Sequence, residues 1–250
     1  MEDVAGGTVT KEFRLKMSAV LSCPSVGWND HWGCVTEALR PWNIPIRKGK
    51  GAYWHQTMQM LLKSSVDAGE DTVLTLDYDS VFKRWHFARL LHAFLTTPEA
   101  DAMAAFQVRR GSIETALCAP INPEITRFTL DGKPIEVASA HFGMTLIKTE
   151  ALKRMPKPWF WSTPDENGDF GDGRIDADIN FWRKFRECGN RVFVDPFCNI
   201  GHLQVLVSEF VQQGDAVVPV HTHMHDWMER PTLPVEQVSC EHITQVVEAV

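Results

Sequence analysis

The strongest constraint on the fold is an alternation near the start of the chain. Short apolar runs of strand length are separated by stretches with helical spacing. The run "KMSAVLSCPS", residues 16–25, reads as a strand from about Met17 to Ser22, stopped by Pro24. "DHWGCVTEALRPW" follows as a helix with Trp32, Val35 and Leu39 on one side and Pro41 at its end. A short strand is expected near Ile44 to Ile46, then a glycine- and lysine-rich loop, "RKGKG". In "YWHQTMQMLLKSSVDAG", Trp54, Met58, Leu61, Leu62 and Val66 recur at helical spacing, and Gly69 stands where a C-terminal cap belongs. "DTVLTL" is a compact strand ending at Asp77. This β-α-β-α-β order implies an α/β fold: a Rossmann-like, mostly parallel central sheet with flanking helices. Ligands of such sheets bind at the carboxyl ends of the strands, which is where "LDYD" places Asp77 and Asp79.

The rest of the chain continues the pattern. A helix is expected at about Lys83 to Leu95, then a strand in "AMAAFQV". "RFTLDGKPIEV" carries a hairpin signal around Asp131-Gly132. "FGMTLIKTEALKRM" reads as a strand and a short helix starting near Thr149. A polar loop, residues 162–175, precedes a helix in "DADINFWRKFRECGN", a strand in "RVFVDP" and then "NIGHL". There is no internal repeat and no clear linker, so one domain over residues 1–208 is expected, with a C-terminal extension, 209–250, packing on it.

Composition narrows the function. At 250 residues, 44% hydrophobic and 23% charged, the chain is an ordinary globular one. Its net charge of -7 argues against a broad electrostatic grip on nucleic acid or anionic lipid. The segment "RKGKG" and Arg109-Arg110 leave room for a local basic groove. No run of about 18 apolar residues occurs, so no membrane span is expected. The six scattered cysteines include no C-x-x-C pair and suit reduced thiols, and no signal-peptide core is present, so a cytoplasmic location is expected.

Several residue groups suggest chemistry. Two carboxylates one residue apart, Asp77 and Asp79, suit a solvated turn, and equally suit a shared divalent cation that neutralises a diphosphate. His202, in "CNIGHL", would bring an imidazole to the same strand ends and favours Mn²⁺ or a similar ion over Ca²⁺. Asp176 and Asp178 open a helix, where Asp suits the positive end of the dipole; either could also serve as a general base, Asp178 before Asp176. "DENGDFGDGRID" imitates a calcium loop but has Phe170 where glycine is required, so a mobile acidic loop is expected instead. "VHTHMHDW" would put His221, His223 and His225 on one face if extended, a row able to hold zinc or contact an acceptor. "PKPWFW" offers Trp159, Phe160 and Trp161 as a stacking platform or as core.

Taken together, from about Met17 to Leu203, these stretches resemble nucleotide-sugar glycosyltransferases with the A-type fold, in particular the small family 2-like enzymes of phages and bacteria. "CPS" is similar to the end of the family's nucleotide-binding first strand, "DTVLTLDYDSVF" to its Asp-x-Asp segment, and "GMTLIKTEALKRMPKPWF" to the strand and helix behind its acceptor site. "DADINFWRKFRECGNRVFVDPFCNIGH" resembles the stretch carrying the catalytic acid and the metal-ligating histidine. The family often has Glu-Asp before this helix. Here Ala177 precedes Asp178 and the other acidic residue is Asp176, which leaves inversion or retention open. The resemblance implies a nucleoside-diphosphate sugar donor, UDP- or GDP-linked, near Pro24, Ser25, Asp77 and Asp79. It implies Mn²⁺ or Mg²⁺ on Asp79 and His202, with Asp77 as a further ligand or ribose contact, and Asp178 as base. The acceptor stays open among a glycan, a protein and a hydroxymethylated base in phage DNA. Rival readings are a nucleotidyltransferase on a similar fold, a metal-dependent hydrolase built on the histidine row, and a non-catalytic binding module.

Overall fold

The computed structural model describes residues 15–24, 27–109, 116–122, 133–213 and 216–229. Ser25 and most of the expected hairpin around Asp131-Gly132 lie outside the described residues. The chain divides into two compact units between Leu203 and Gln204.

The first unit begins with β1 (Met17–Ser22), α1 (Asn29–Leu39) and a 3₁₀ turn at Arg40–Trp42, followed by β2 (Ile46–Gly49), α2 (Trp54–Asp67) and β3 (Thr72–Asp77). Next come β4 (Ser80–Val81), α3 (Arg84–Thr96), β5 (Ala102–Gln107), β6 (Ala119–Pro120), β7 (Ile135–Ser139) and β8 (Met144–Lys148). The unit closes with α4 (Thr149–Arg154), α5 (Ala177–Glu187) and β9 (Val192–His202). The sheet order is β2-β1-β3-β8-β5-β9-β7-β6, with β4 paired to β9. Strands β1, β2, β3, β5 and β9 run the same way, while β8 and β7 oppose their neighbours. The sheet is therefore mostly parallel, as the early alternation requires.

Helices cover both faces, which explains why the strands are near-continuous apolar runs. Val20 and Val73 point to one face, with Met58 and Leu62 of α2 and Phe181 and Trp182 of α5. Leu21, Leu74 and Leu76 point to the other, with Val35 of α1 and Phe87 and Leu90 of α3. Each such side chain contributes about 1.5–3 kcal/mol on burial. Helix α2 ends as its sequence implies: Gly69 adopts φ 64°, a left-handed conformation that costs a glycine little.

One expectation is corrected. "RKGKG" was expected as a loop, but Arg47, Lys48 and Gly49 belong to β2 and pair with Val20, Leu21 and Ser22. An edge strand tolerates charge because one side of it faces solvent. Both cations are engaged locally: Arg47 pairs with Glu70 at 2.6 Å, and Lys48 lies 3.4 Å from the Trp32 ring centroid. The local basic groove suggested for this segment loses these two charges.

The second unit holds the antiparallel hairpin β10 (Leu206–Gln213) and β11 (Ala216–His223), then α6 (Met224–Met228). Since β11 ends at His223 and α6 begins one residue later, the backbone at His225 leaves the strand, and the expected single-face row of His221, His223 and His225 is not formed. His221 shares a hydrogen bond with Ser208 at 2.9 Å. Among the described residues no group of three His, Cys, Asp or Glu side chains is placed to hold a metal, and no helix is long and apolar enough to cross a membrane.

Candidate functional site

The sheet brings the separated candidates to one edge. Ser22, at the carboxyl end of β1, is paired with Asp77, and Pro24 is exposed just beyond it. The chain leaves β3 at Asp77, turns at Tyr78-Asp79 and enters β4, whose Ser80 pairs with His202 of β9. The Leu203 amide donates to the Asp79 carbonyl at 2.7 Å. Backbone pairing thus brings together side chains 123 residues apart in number (202 − 79). His202 Nε2 lies 3.2 Å from Asp79 Oδ2, and both side chains are almost wholly buried.

The protonation of His202 follows from its other nitrogen. Nδ1 is 3.0 Å from the Val108 carbonyl, which can only accept, so Nδ1 carries a proton. In the neutral imidazole Nε2 then presents a lone pair to a carboxylate. Two acceptors at this distance need a proton or a cation between them. A histidine whose outer N–H is held by a carbonyl is also the usual arrangement in metal ligation. The donor set, one carboxylate and one imidazole, fits Mn²⁺ or Mg²⁺ with the remaining positions left to phosphate oxygens and water.

Asp77 is not gathered with that pair into a three-ligand cluster. Its Oδ1 accepts a hydrogen bond from Trp54 Nε1 at 3.3 Å. Burial, then the charge of Asp79, pushes the Asp77 carboxyl up to about 7, against the Trp54 hydrogen bond and the charge of His202. Asp178 raises it further, which places the start of α5 within electrostatic range of β3. The edge thus gathers three carboxylates, Asp77, Asp79 and Asp178.

Asp178 and Asp176 differ. Asp178 is partly buried on the first turn of α5, and Oδ1 accepts the Ile179 amide at 2.8 Å. Burial raises its carboxyl above the ordinary value, Asp176 adds to this, and the Ile179 hydrogen bond opposes it. Asp176 is exposed, makes no capping hydrogen bond, and is bound by Arg174 Nε at 2.8 Å. Of the two, Asp178 is the carboxylate free of a cationic partner in the hydrogen bonds described.

Sequence reading missed the polar layer behind this edge. His141 is neutral: burial lowers it to about 4, Nε2 donates to the Ala105 carbonyl at 2.8 Å, and Nδ1 accepts the Gly143 amide at 2.9 Å. Gln107 donates to Ser80 Oγ at 3.1 Å and to the Gly201 carbonyl at 3.0 Å, joining β4 to β9. His31, 1% exposed, donates from Nδ1 to the Ser80 carbonyl at 2.6 Å. None of these residues sits in a motif. Only the "HFG" turn before a buried strand hints at one, through its glycine.

That glycine is testable. A Cβ on Gly143 would lie 2.6 Å from Ser80 Oγ and 2.7 Å from both Gln107 Oε1 and His141 Nδ1. Gly143→Ala is expected to lower stability by about 1–3 kcal/mol, as overpacking does. Urea unfolding of the variant reads it, and an unchanged midpoint would contradict the packing described.

The acidic loop is ordered by its own carboxylate. Asp165 Oδ1 accepts the amides of Asn167 and Asp169, each at 2.9 Å, and Thr163 and Ile175 bridge its base. The first of its aspartates is spent on turn-making, and the last, Asp176, on Arg174. The "PKPWFW" segment divides: Trp159 and Phe160 are core, while Trp161 is partly exposed. Trp161 faces a cleft of about 740 Å³ whose wall includes Asp176 and residues at the start of α2. Phe160, in the same wall, packs edge-on against Trp54, the residue that binds Asp77.

No protein-family model matches the chain, and no curated protein matches it. Solved structures do. The protein A197 from STIV aligns with a TM-score of 0.55 at 17% identity, over 84% of this chain and 100% of that one. Mannosyltransferase PcManGT from Pyrobaculum calidifontis, solved with GDP-Man and Mn²⁺, aligns at 0.45 and 11% identity, over 76% of this chain and 57% of that one. Mannosyl-3-phosphoglycerate synthase from Rubrobacter xylanophilus aligns at 0.37 and 14%, over 84% and 85%. At such identities the likeness is one of fold. Of the three, A197 shares the fold over most of this chain.

Proposed function

We propose that the chain is a metal-dependent glycosyltransferase of A-type architecture, moving a sugar from a nucleoside-diphosphate sugar to an acceptor hydroxyl. The observation that carries this reading is the buried Asp79–His202 pair, a carboxylate facing an imidazole nitrogen at the carboxyl edge of a mostly parallel sheet. Asp79 and His202 would hold Mn²⁺ or Mg²⁺. The cation, when bound, supplies positive charge against the departing diphosphate. Pro24 and Ser25, following β1, border the donor. Asp77, fixed by Trp54, contacts ribose or water at the same edge. Asp178 takes the proton of the acceptor hydroxyl. The acceptor oxygen bonds to the anomeric carbon as the bond from that carbon to phosphate oxygen breaks, its electron pair leaving with the nucleoside diphosphate. Asp176, held by Arg174, does not compete for this proton.

The direct test is a thermal-shift titration of the full chain with GDP-mannose and with UDP-glucose, each with Mn²⁺ and with EDTA. A donor at a hundredfold excess over Kd stabilises the native state by about 2.7 kcal/mol. Stabilisation by one donor with Mn²⁺, and its loss in EDTA, is the expected result. Equal stabilisation in EDTA would refute the metal-bridged reading, and none from any nucleotide sugar would refute the donor class.

A further inference from the structure

The cleft beside α5 carries the chemistry of the acceptor. Its volume of about 740 Å³ lies within the range of small-molecule sites and exceeds what one serine or threonine side chain would occupy. It is rimmed by large exposed aromatic surface: Tyr53 is 60% exposed and Phe170 61%. Trp161 completes the aromatic set and is held by its neighbours. Lys184 Nζ sits 3.9 Å from its ring centroid and donates to the Pro158 carbonyl at 2.7 Å. Asn180 donates to the Trp161 carbonyl at 2.9 Å. A ring fixed in this way is a rigid surface, which lowers the entropy cost of stacking on it.

The polar lining is mostly neutral. Gln56, Gln59 and Ser162 offer amides and a hydroxyl, and the Gln59 side-chain carbonyl is already taken by the Trp159 amide, leaving its NH₂ to donate. Among the described residues the lining also holds the imidazole of His55 and one guanidinium, that of Arg174, which Asp176 binds at 2.8 Å. A nucleic-acid acceptor needs several cations to meet its phosphates, and among the described lining residues the one guanidinium is already paired with Asp176. A sugar ring needs the opposite mixture. Its C–H faces meet the negative faces of aromatic rings, and its hydroxyls pair with neutral donors and acceptors.

We propose that the acceptor is a neutral saccharide whose terminal ring stacks on Trp161 and Phe170 in this cleft, presenting a hydroxyl toward the start of α5. This rests on the transferase reading above, and names the substrate class of the same site. Asp176 in the wall places the cleft two residues from Asp178, and Phe160 links it through Trp54 to Asp77.

The test uses the full chain in two arms. In the first, GDP-mannose or UDP-glucose with Mn²⁺ is offered neutral p-nitrophenyl mono- and disaccharides, a serine/threonine peptide, or duplex DNA bearing hydroxymethylcytosine, and products are read by mass. Transfer to a saccharide is expected, with the KM for that saccharide raised about tenfold in Phe170→Ala and in Trp161→Ala. Leu95→Ala, on α3, serves as the surface control and leaves KM unchanged. Transfer to peptide or DNA with none to saccharides overturns the proposal and leaves the transferase reading standing, as does a saccharide KM that neither aromatic variant changes. In the second arm, the chain without donor is applied to a glycan array. Binding that Phe170→Ala removes supports the cleft as a saccharide site, and absence of binding to any neutral glycan overturns it. If the first arm shows no donor turnover with any acceptor, the transferase reading fails, and the array alone then decides for or against the cleft.

Discussion

Asp79→Asn is expected to abolish the Mn²⁺-dependent stabilisation by nucleotide sugar and to lower turnover about a thousandfold, the scale of losing one preorganised charge contact to a transition state. Asparagine keeps the volume of the side chain and one oxygen, but not the negative charge that a hard divalent cation requires. The backbone ties around Asp79 do not depend on that charge, and the asparagine NH₂ can donate to His202 Nε2 in place of the carboxylate contact at 3.2 Å. Asp79 is tied to β9 through its carbonyl and the Leu203 amide, and the Ser80–His202 pairing is backbone. Asp79 is also one of the charges that burden Asp77. With the relief of Asp77 set against the lost charge facing His202, the metal-free variant is expected to stay folded and to unfold near the temperature of the metal-free parent. That combination, stability kept and metal response lost, separates a site residue from a structural one. The measurements are thermal melts with and without Mn²⁺ and donor, and release of nucleoside diphosphate. A variant that kept the full Mn²⁺ response would remove Asp79 from the metal site.

Asp178→Asn is expected to slow transfer by a factor of about 10²–10⁴, the usual contribution of a positioned general base. Its pH signature is specific. Burial raises the Asp178 carboxyl above the ordinary aspartate value, Asp176 raises it further, and the Ile179 amide opposes both. The base acts only when ionised, so kcat/KM rises with pH through this raised value, and the acid limb stands above the ordinary aspartate range. Stability runs the other way. The folded carboxyl holds its proton to higher pH than the unfolded one, so this contribution is full below the unfolded value and is lost as pH rises through the folded value. Asp176→Asn removes a neighbouring charge and is expected to move the activity limb downward. A pH profile of Asp178→Asn that kept the parent's acid limb would assign the base elsewhere.

Much of the architecture was legible because it depends on local periodicity. Met58, Leu61 and Leu62 recur at helical spacing in α2, and the run from Thr72 to Asp77 is made of β-branched and leucine residues up to its last position, so element type and order follow. The error at "RKGKG" has a simple cause. Charge and glycine look like loop in isolation, but β2 lies at a sheet edge, where Arg47 can reach Glu70 and Lys48 can lie on Trp32. The histidine row failed for a related reason. A period of two has meaning only while the chain stays extended, and the turn into α6 after His223 ends that.

By itself, the sequence determined the alternation of strands and helices, and hence that Asp77 and Asp79 leave a buried strand at its carboxyl end. It also supplied Asp178 at a helix start and His202 near a late strand. Only the tertiary structure decided which of these face one another. The β4–β9 pairing sets His202 against Asp79, the Val108 carbonyl assigns its proton, and Trp54 draws Asp77 toward α2. The layer of His31, Gln107, His141 and Gly143, and the cleft lined by Trp161 and Phe170, have no local signature, because each joins elements far apart in the chain. Periodicity records how a residue relates to its neighbours in sequence. Hydrogen-bond partners across a sheet, and the charge around a carboxylate, belong to the assembled sheet.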